Sequence, residues 1–316
     1  MKLLKRFLIV IVVLLVLVIG TLLAVPFLFK DELVGVVKEQ INANINATAD
    51  FADVNLSFFR SFPHLSLGLE DFTLTGKEEF EGLRLVEAAE TSVTVNVKSL
   101  FGENTPLEIR EVALREPKVH VVVRQDGLAN YDIALPAEET VETESSAADA
   151  LQIALQQYSI ENGSVIYDDR AGDIYLNISG LNHSGTGNLT LTEYDLDTET
   201  TIDQMTVEQG DIAFLKNARL ALDAIFHINT ETSLYQLRDN ELKVNELLLN
   251  ADGEVQMMDE DIRLDLSFNS PGSDFRSLWS LIPNAYTADY QDVAIDGSFT
   301  LDGLVKGIYN ETTYPA

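Results

Sequence analysis

Leu220-Ala-Leu-Asp-Ala-Ile-Phe-His-Ile228 places Leu220, Leu222, Ala224, Phe226 and Ile228 at every second position. That is the period of a strand with one apolar face. The same rhythm runs outward in both directions. Upstream it appears in Ile174, Leu176 and Ile178, in Val119, Val121 and Val123 after Pro117, in Val93, Val95 and Val97, and in Leu65, Leu67 and Leu69. Downstream it appears in Ile262, Leu264, Leu266 and Phe268, then in Val293, Ile295, Gly297, Phe299, Leu301, Gly303 and Val305. The last run would make a very long strand, with Gly297 and Gly303 as bends or bulges. Glu161-Asn-Gly-Ser164, between Tyr158–Ile160 and Val165–Tyr167, carries the residue types of a hairpin turn.

Helical signals are fewer. Leu33, Val37, Ile41 and Ile45 recur every fourth residue and predict an amphipathic helix over 31–47. Leu151, Leu155 and Tyr158 predict a short helix over 149–158. Phe275, Leu278, Trp279 and Ile282 predict another between Ser273 and Pro283. A dozen or so alternating strands present more apolar surface than three short helices cover. Three solutions follow: a second sheet packs on the first, the sheet closes into a barrel, or the apolar face stays partly open for an apolar ligand.

The N-terminus decides where this sheet sits. Residues 1–6 carry Lys2, Lys5 and Arg6, and the segment 7–29, from Phe7 to Phe29, holds no charge at all. As a helix it would be about 35 Å long, enough to cross a hydrocarbon core of roughly 30 Å. It is too long for the apolar region of a cleaved signal peptide, and a cut after Ala24 would leave Leu22 at the −3 position. The expectation is an uncleaved signal anchor, with the basic end in the cytoplasm and the bulk of the chain exported. The stretch 136–149, Pro136 to Asp149, is acidic, small and apolar-poor, and reads as a flexible loop between β modules at 48–135 and 150–316. The sequence leaves open whether these are two folds or one continuous sheet.

Charge and residue types narrow the function classes. All but three of the 21 basic residues follow the anchor, where 51 acidic residues outweigh them and set the net charge at -30. Such a surface repels phosphate backbones and speaks against nucleic acid. The absence of cysteine excludes disulfides, thiolate metal sites and cysteine nucleophiles. His64, His120, His183 and His227 stand far apart, with no neighbour at metal-ligand spacing. Asp259-Glu-Asp261 lacks the glycine-centred spacing of a calcium loop. No nucleotide-binding, nucleophile-elbow or zinc-protease motif is present. No catalytic residue, cofactor or metal is expected, and the chain reads as a non-enzyme.

Several stretches then occur in a telling order. They are the basic start and anchor, the helix at 31–47, Asp53-Val-Asn-Leu-Ser-Phe-Phe-Arg-Ser-Phe-Pro-His-Leu-Ser-Leu67, Val97-Lys-Ser-Leu100, Pro117-Lys-Val-His-Val-Val-Val123 and Asp126-Gly-Leu-Ala-Asn-Tyr-Asp132. Ile160 to Asp168 and Gly297 to Asn310 continue the likeness, so that it spans nearly the whole chain. This series resembles the AsmA family, particularly its Bacteroidetes type, and Asn130-Tyr131-Asp132 resembles the family's Asn-aromatic-Asp signature.

The resemblance implies a mainly β protein: an elongated, curved antiparallel sheet forming an apolar groove, like that of TamB-like and chorein-type proteins. It implies a single-pass inner-membrane protein with its bulk in the periplasm, outer-membrane biogenesis as its setting, and phospholipid acyl chains and envelope assembly proteins as partners. Residues 31–47, with Leu33, Val37, Ile41 and Ile45, would cap one end of the groove. Leu220, Leu222, Phe226, Ile228, Val293, Ile295, Phe299 and Leu301 would line it. The competing expectation is a closed, anchored β-sandwich acting as a scaffold or regulating protein targeting. The chain stops at Tyr314-Pro-Ala316, just after a strong strand. It therefore reads as a fragment or as a form without the C-terminal extension of the groove, too short to bridge two membranes alone.

Overall fold

The computed structural model describes residues 30–43, 45–57, 64–96, 108–133, 155–258, 261–282, 296–310, 313 and 315. The anchor at 7–29, Val97, the acidic stretch at 136–149, Val293 and Ile295 lie outside the described residues.

Helix α1 (Lys30–Ala43) leads into fourteen strands. The first six are β1 (Ala47–Asp50), β2 (Asp53–Ser57), β3 (His64–Gly76), β4 (Arg84–Asn96), β5 (Ile109–Arg115) and β6 (Lys118–Val123). After them come β7 (Gln157–Asp169), β8 (Ile174–Gly187), β9 (Glu193–Gln209), β10 (Ile212–Asn229), β11 (Leu234–Val244), β12 (Leu247–Met257) and β13 (Ile262–Asp274). A short helix α2 (Phe275–Trp279) precedes β14 (Ser298–Tyr309). All fourteen strands belong to one sheet, and from β7 onward each strand pairs with the next in sequence. Both stretches flanking residues 136–149 thus contribute to the same sheet.

Two strands are split. β1 and β2 lie one after the other along β3, while β5 and β6 lie one after the other between β4 and β7. The second break falls at Glu116 and Pro117, where proline has no N–H to give to a ladder. β7 runs parallel to β5 and β6, and every other pairing is antiparallel. The sheet is therefore mixed, which corrects the purely antiparallel expectation. Its cause is the return of the chain after β6. Residues 124–133 fold back so that Asn46 N donates to Ile133 O at 2.8 Å, and the chain re-enters beside β5, where Gln156 N donates to Arg110 O at 2.8 Å. β7 then has to start at the same end as β5.

Three local expectations change. Glu161-Asn-Gly-Ser164 is not a hairpin turn, because β7 runs straight through it. Its register against β8 slips on both sides of Gly163, and Asn162 sits at φ 51°. The turn-forming residue types make a bulge there, since left-handed backbone serves both structures. The helix expected at 149–158 is not formed where the chain is described, as Tyr158 lies in β7. Helix α1 ends at Ala43 rather than at 47, because Ala47 is already paired with Gly76 in the sheet.

Strands this long keep their apolar side on one face by slipping one residue. β3 carries Leu65, Leu67 and Leu69 before Asp71, and Phe72 and Leu74 after it. Strict alternation would send Phe72 to the opposite face. Yet Ile41 of α1 and Phe72 pack against both the Phe51–Val54–Leu69 cluster and the Ala47–Ala49–Leu74–Leu85 cluster, so the two sets share a face. The residue between them, Asp71, has φ 51°. Similar left-handed residues interrupt the β5–β6 junction at Glu116 (51°), β7 at Asn162 (51°), β8 at Gly180 (65°) and β10 at Asn217 (52°).

The chain after β6 is held by Asn130, which is 3% exposed. Its Oδ1 accepts from Val122 N at 2.9 Å, and its Nδ2 donates to His120 O at 2.7 Å. The side chain extends the ladder of β6 as a strand would. Asn130→Ala leaves both backbone groups buried and unpaired, and a loss of about 2–4 kcal/mol is expected in denaturant unfolding followed by circular dichroism.

Candidate functional site

Cross-strand register assembles one apolar face from residues far apart in sequence. A continuous row runs Leu67–Val93–Val112–Tyr158–Gly185–Thr198–Ala224, each residue paired with the next across β3, β4, β5, β7, β8, β9 and β10. Two residues along β10, a second row runs Leu196–Phe226–Leu237–Gly253–Leu266–Val305 through to β14. Leu220, Leu222 and Ile228 share the face of Phe226 by alternation, with Leu220 opposite Val244, Leu222 opposite Leu242 and Ile228 opposite Tyr235. Leu301 is paired with Ser270, and Phe299 with Ser273, on the same side of β13 as Phe268. Six of the eight anticipated lining residues therefore fall on one face, and Val293 and Ile295 lie outside the described residues. The spacing of single strands identifies such positions one strand at a time. Tyr158, His183, Leu237, Val255, Leu264, Leu266 and Val305 join the face only once register is fixed.

Glycines on this face lie under neighbouring rings. A Cβ on Gly303 would stand 2.0 Å from the Phe268 ring, and one on Gly185 would stand 2.3 Å from the Tyr158 ring. The aromatic ring covers backbone that the glycine leaves bare, and the absent side chain makes room for it.

Cover over the face is uneven. At the β1–β4 end, α1 lies on it through Val34 and Ile41, and Phe51, Val54, Leu69 and Leu74 are buried. The Leu33 and Val37 side chains lie outside the described ones, and Ile45 packs on the same cluster from beyond the helix end. Asn42 fixes α1 to β1: its Oδ1 accepts from Ala49 N at 2.8 Å, while its Nδ2 donates to Ala49 O at 2.9 Å. Lys38 pairs with Asp50 at 2.5 Å, holding that carboxyl below the usual range, and its Nζ stands 5.0 Å from the centre of the Phe51 ring.

Past β7 the cover becomes patchy among the described residues: Ile202, Ala224, Ile228 and Leu247 are buried on this face. Leu220, Leu222, Phe226, Leu237, Leu242, Val255, Leu264, Leu266, Phe268, Phe299, Leu301 and Val305 are only half-buried. Helix α2 does not seal them. It packs against β12 and β13 and meets β14 through the Phe275–Phe299 ring contact, yet Phe275 and Leu278 stay exposed, as does Ile282 beyond its end. Of the apolar face expected for that helix, Phe275, Leu278 and Ile282 are exposed, while Trp279 is half-buried.

One polar group interrupts the apolar floor. His183 Nδ1 lies 2.8 Å from Thr200 Oγ1, and its Nε2 lies 3.2 Å from Tyr158 OH. Burial lowers the His183 pKa, and it raises those of Tyr158 and Tyr194 with a smaller push from a neighbouring tyrosine. All three shifts favour the neutral form, as a desolvated surface requires.

The opposite face carries most of the charge, with Ile225 and Leu304 among it. His227 meets Asp195 at 2.7 Å and Glu193 at 2.9 Å, Arg263 meets Glu254 at 3.0 Å and Lys306 meets Asp265 at 2.5 Å. A concavity of about 530 Å³ is lined by Gln236, Arg238, Asp252, Glu254 and Asp265 together with Leu237 and Leu304. Among the described residues no group of three or more His, Asp or Glu side chains could hold a metal ion. No described helix is long and apolar enough to cross a membrane. The arrangement presents an extended, partly covered apolar face on one side of the sheet.

A family model described as "AsmA family" matches residues 1–187. No curated protein matches the chain.

Two outcomes test this geometry. Asn42→Ala removes both bonds to Ala49, and the Ala49 amide is expected to exchange hydrogen at least about tenfold faster, as a local opening made about 1.4 kcal/mol easier would give. For His183 the folded pKa is below the unfolded one, so the unfolded chain binds the proton first. Its contribution to stability is constant above the ordinary histidine value and is lost as pH falls through about 6.5 toward the lower folded pKa. Denaturant midpoints measured at neutral and mildly acidic pH should therefore drop more for the wild type than for His183→Gln.

Proposed function

The chain belongs to the AsmA family, whose model covers more than half of its 316 residues, and on that premise we propose that it is an inner-membrane-anchored periplasmic trough that binds and guides phospholipid acyl chains in support of outer-membrane assembly. The observation that carries this reading is the apolar face running from Leu67 to Val305 across the sheet, much of it only half-buried from β7 onward. An exposed apolar surface of that extent in water calls for an apolar occupant. Acyl chains fit it, because each methylene removed from water contributes about 0.8 kcal/mol without any directional contact. The residues Phe7 to Phe29 supply the anchor in this reading, and α1 marks the membrane-proximal end, since it follows the anchor directly and lies on β1–β4. The role asks for no reaction, only desolvation.

Mass spectrometry of the gently purified full chain tests it, with copurifying phospholipid as the expected result. Phe226→Asp and Phe299→Asp should each remove most of that lipid while leaving the thermal melt within a few degrees of wild type, because both side chains are already half in water. Loss of the cooperative melt would place these residues in a closed core and favour the anchored scaffold instead.

A further inference from the structure

The two edges of the described sheet are built differently. One is formed by β1 and β2, which are 4 and 5 residues long and separated by a break at residues 51–52. β1 is also tied to α1 through the bonds between Asn42 and Ala49. Short, interrupted and partly covered edge strands resist pairing with another chain. The other edge is β14, an unbroken strand of 12 residues without proline. It pairs with β13 on one side, and among the described residues no strand pairs with its other side. A long, uninterrupted edge of this kind is a template for a further strand.

The side chains of β14 narrow what that strand can be. Phe299, Leu301, Gly303, Val305, Gly307 and Tyr309 alternate with Thr300, Asp302, Leu304, Lys306 and Ile308. In the second set Leu304 is 60% exposed, and no other large apolar side chain described is more so. Asp302 lies opposite Asn269 and forms no ion pair among the described residues, while Lys306 reaches Asp265 at 2.5 Å and stays largely exposed.

A second copy of β14, running antiparallel, answers all three features in one register. With Leu304 opposite Leu304 of the second copy, Asp302 stands opposite Lys306 of that copy, and Lys306 opposite its Asp302. The exposed leucines cover each other, and each lysine lies between Asp265 of its own chain and Asp302 of the other. On the apolar side Gly303 meets Val305, Leu301 meets Gly307 and Phe299 meets Tyr309, so the two apolar faces join. Neighbouring registers fail. A centre on Asp302 or Lys306 sets like charges opposite one another. A centre on Gly303 sets Asp302 against Leu304, and one on Val305 sets Lys306 against Leu304. A slip of a single residue turns the apolar side of one copy onto the charged side of the other.

We infer that the outer edge of β14 pairs with the same edge of a second copy, in the register centred on Leu304, as a two-fold dimer with one continuous sheet. The facing stretch from Phe299 to Tyr309 forms about ten backbone hydrogen bonds across the axis. The inference concerns assembly, and it stands whether or not the apolar face carries lipid.

The chain has no cysteine, so a single introduced one reports on the pairing without interference. Full-length Leu304→Cys, purified in mild detergent and oxidised, is expected to give a disulfide-linked dimer. Directly opposite positions in antiparallel strands lie about 4.5–5.5 Å apart between Cα atoms, within disulfide reach. Thr300→Cys is the control: its two copies stand about 27 Å apart along the strands and should not cross-link. Unmodified full chain is expected as a dimer in mass photometry. Asp302→Lys should raise the dissociation constant at least about tenfold, and Asp302→Lys/Lys306→Asp should return it to within about threefold of wild type. A monomeric wild type would leave the edge to some other strand and overturn the inference. So would an Asp302→Lys variant that dimerises as well as wild type, or Thr300→Cys cross-linking as strongly as Leu304→Cys. A wild-type dimer in which Leu304→Cys stays unlinked would place the contact elsewhere, such as in the anchor, and overturn it equally.

Discussion

The molecule depends on keeping one face apolar across strands longer than simple alternation can manage. A strand that twists, bends and must satisfy neighbours on both sides needs an occasional extra residue. Each extra residue would turn the apolar set over to the charged side unless the chain resets its phase at the same place. Asp71, Glu116, Asn162, Gly180 and Asn217 do this with left-handed backbone, and β3 shows the result, since Leu69 and Leu74 both lie under α1. Without the reset, hydrophobic side chains would be divided between two faces, and neither the row from Leu67 to Ala224 nor its continuation to Val305 would exist as one surface.

Given that surface, the unequal cover over it becomes the main organising feature. The first strands are roofed by α1, which is held by the Asn42 amide acting as a short strand against Ala49 and by the apolar contacts of Val34 and Ile41. The Lys38–Asp50 pair adds little, because Asp50 is 66% exposed and water screens the attraction. Beyond β7 the strands pair from one to the next as far as β14, while Ile202, Ala224, Ile228 and Leu247 are buried and many other apolar side chains of the face remain half in water. The ladder thus extends further than the hydrophobic burial does. That combination is what the proposed trough relies on, and it suits the large β-sheet of an AsmA-family chain.

Some features were legible residue by residue. Period-two runs marked β3, β6, β8, β10 and β13, and the fourth-residue spacing of Leu33, Val37 and Ile41 marked α1. The run expected from Val293 to Val305 gives a strand only from Ser298 among the described residues, with Gly297 outside it and no register shift at Gly303. The other errors share one cause. Asn162-Gly163 carries the chemistry of a tight turn, but the same left-handed preference serves a bulge, and only the pairing partners of Ile160 and Val165 in β8 tell the two apart. Tyr158 read as helical because its apolar neighbours at 151 and 155 suggested that period, whereas the partners in β5 and β8 hold it extended. The parallel pairing of β7 was invisible, because strand direction follows from how the chain returns after β6 and no local pattern records it.

By itself the sequence determined the strand rhythm, the uncharged N-terminal segment, the absence of thiol chemistry and the strongly negative charge, since each follows from residue type and spacing alone. The tertiary structure decided which strands are neighbours, that the described strands form a single mixed sheet, and that Leu220, Leu222, Phe226, Ile228, Phe299 and Leu301 share one face. The physical reason is that register is a relation between strands distant in the chain. It is set by the sum of many backbone hydrogen bonds and phase slips, and a period-two pattern in one strand carries no information about its partner.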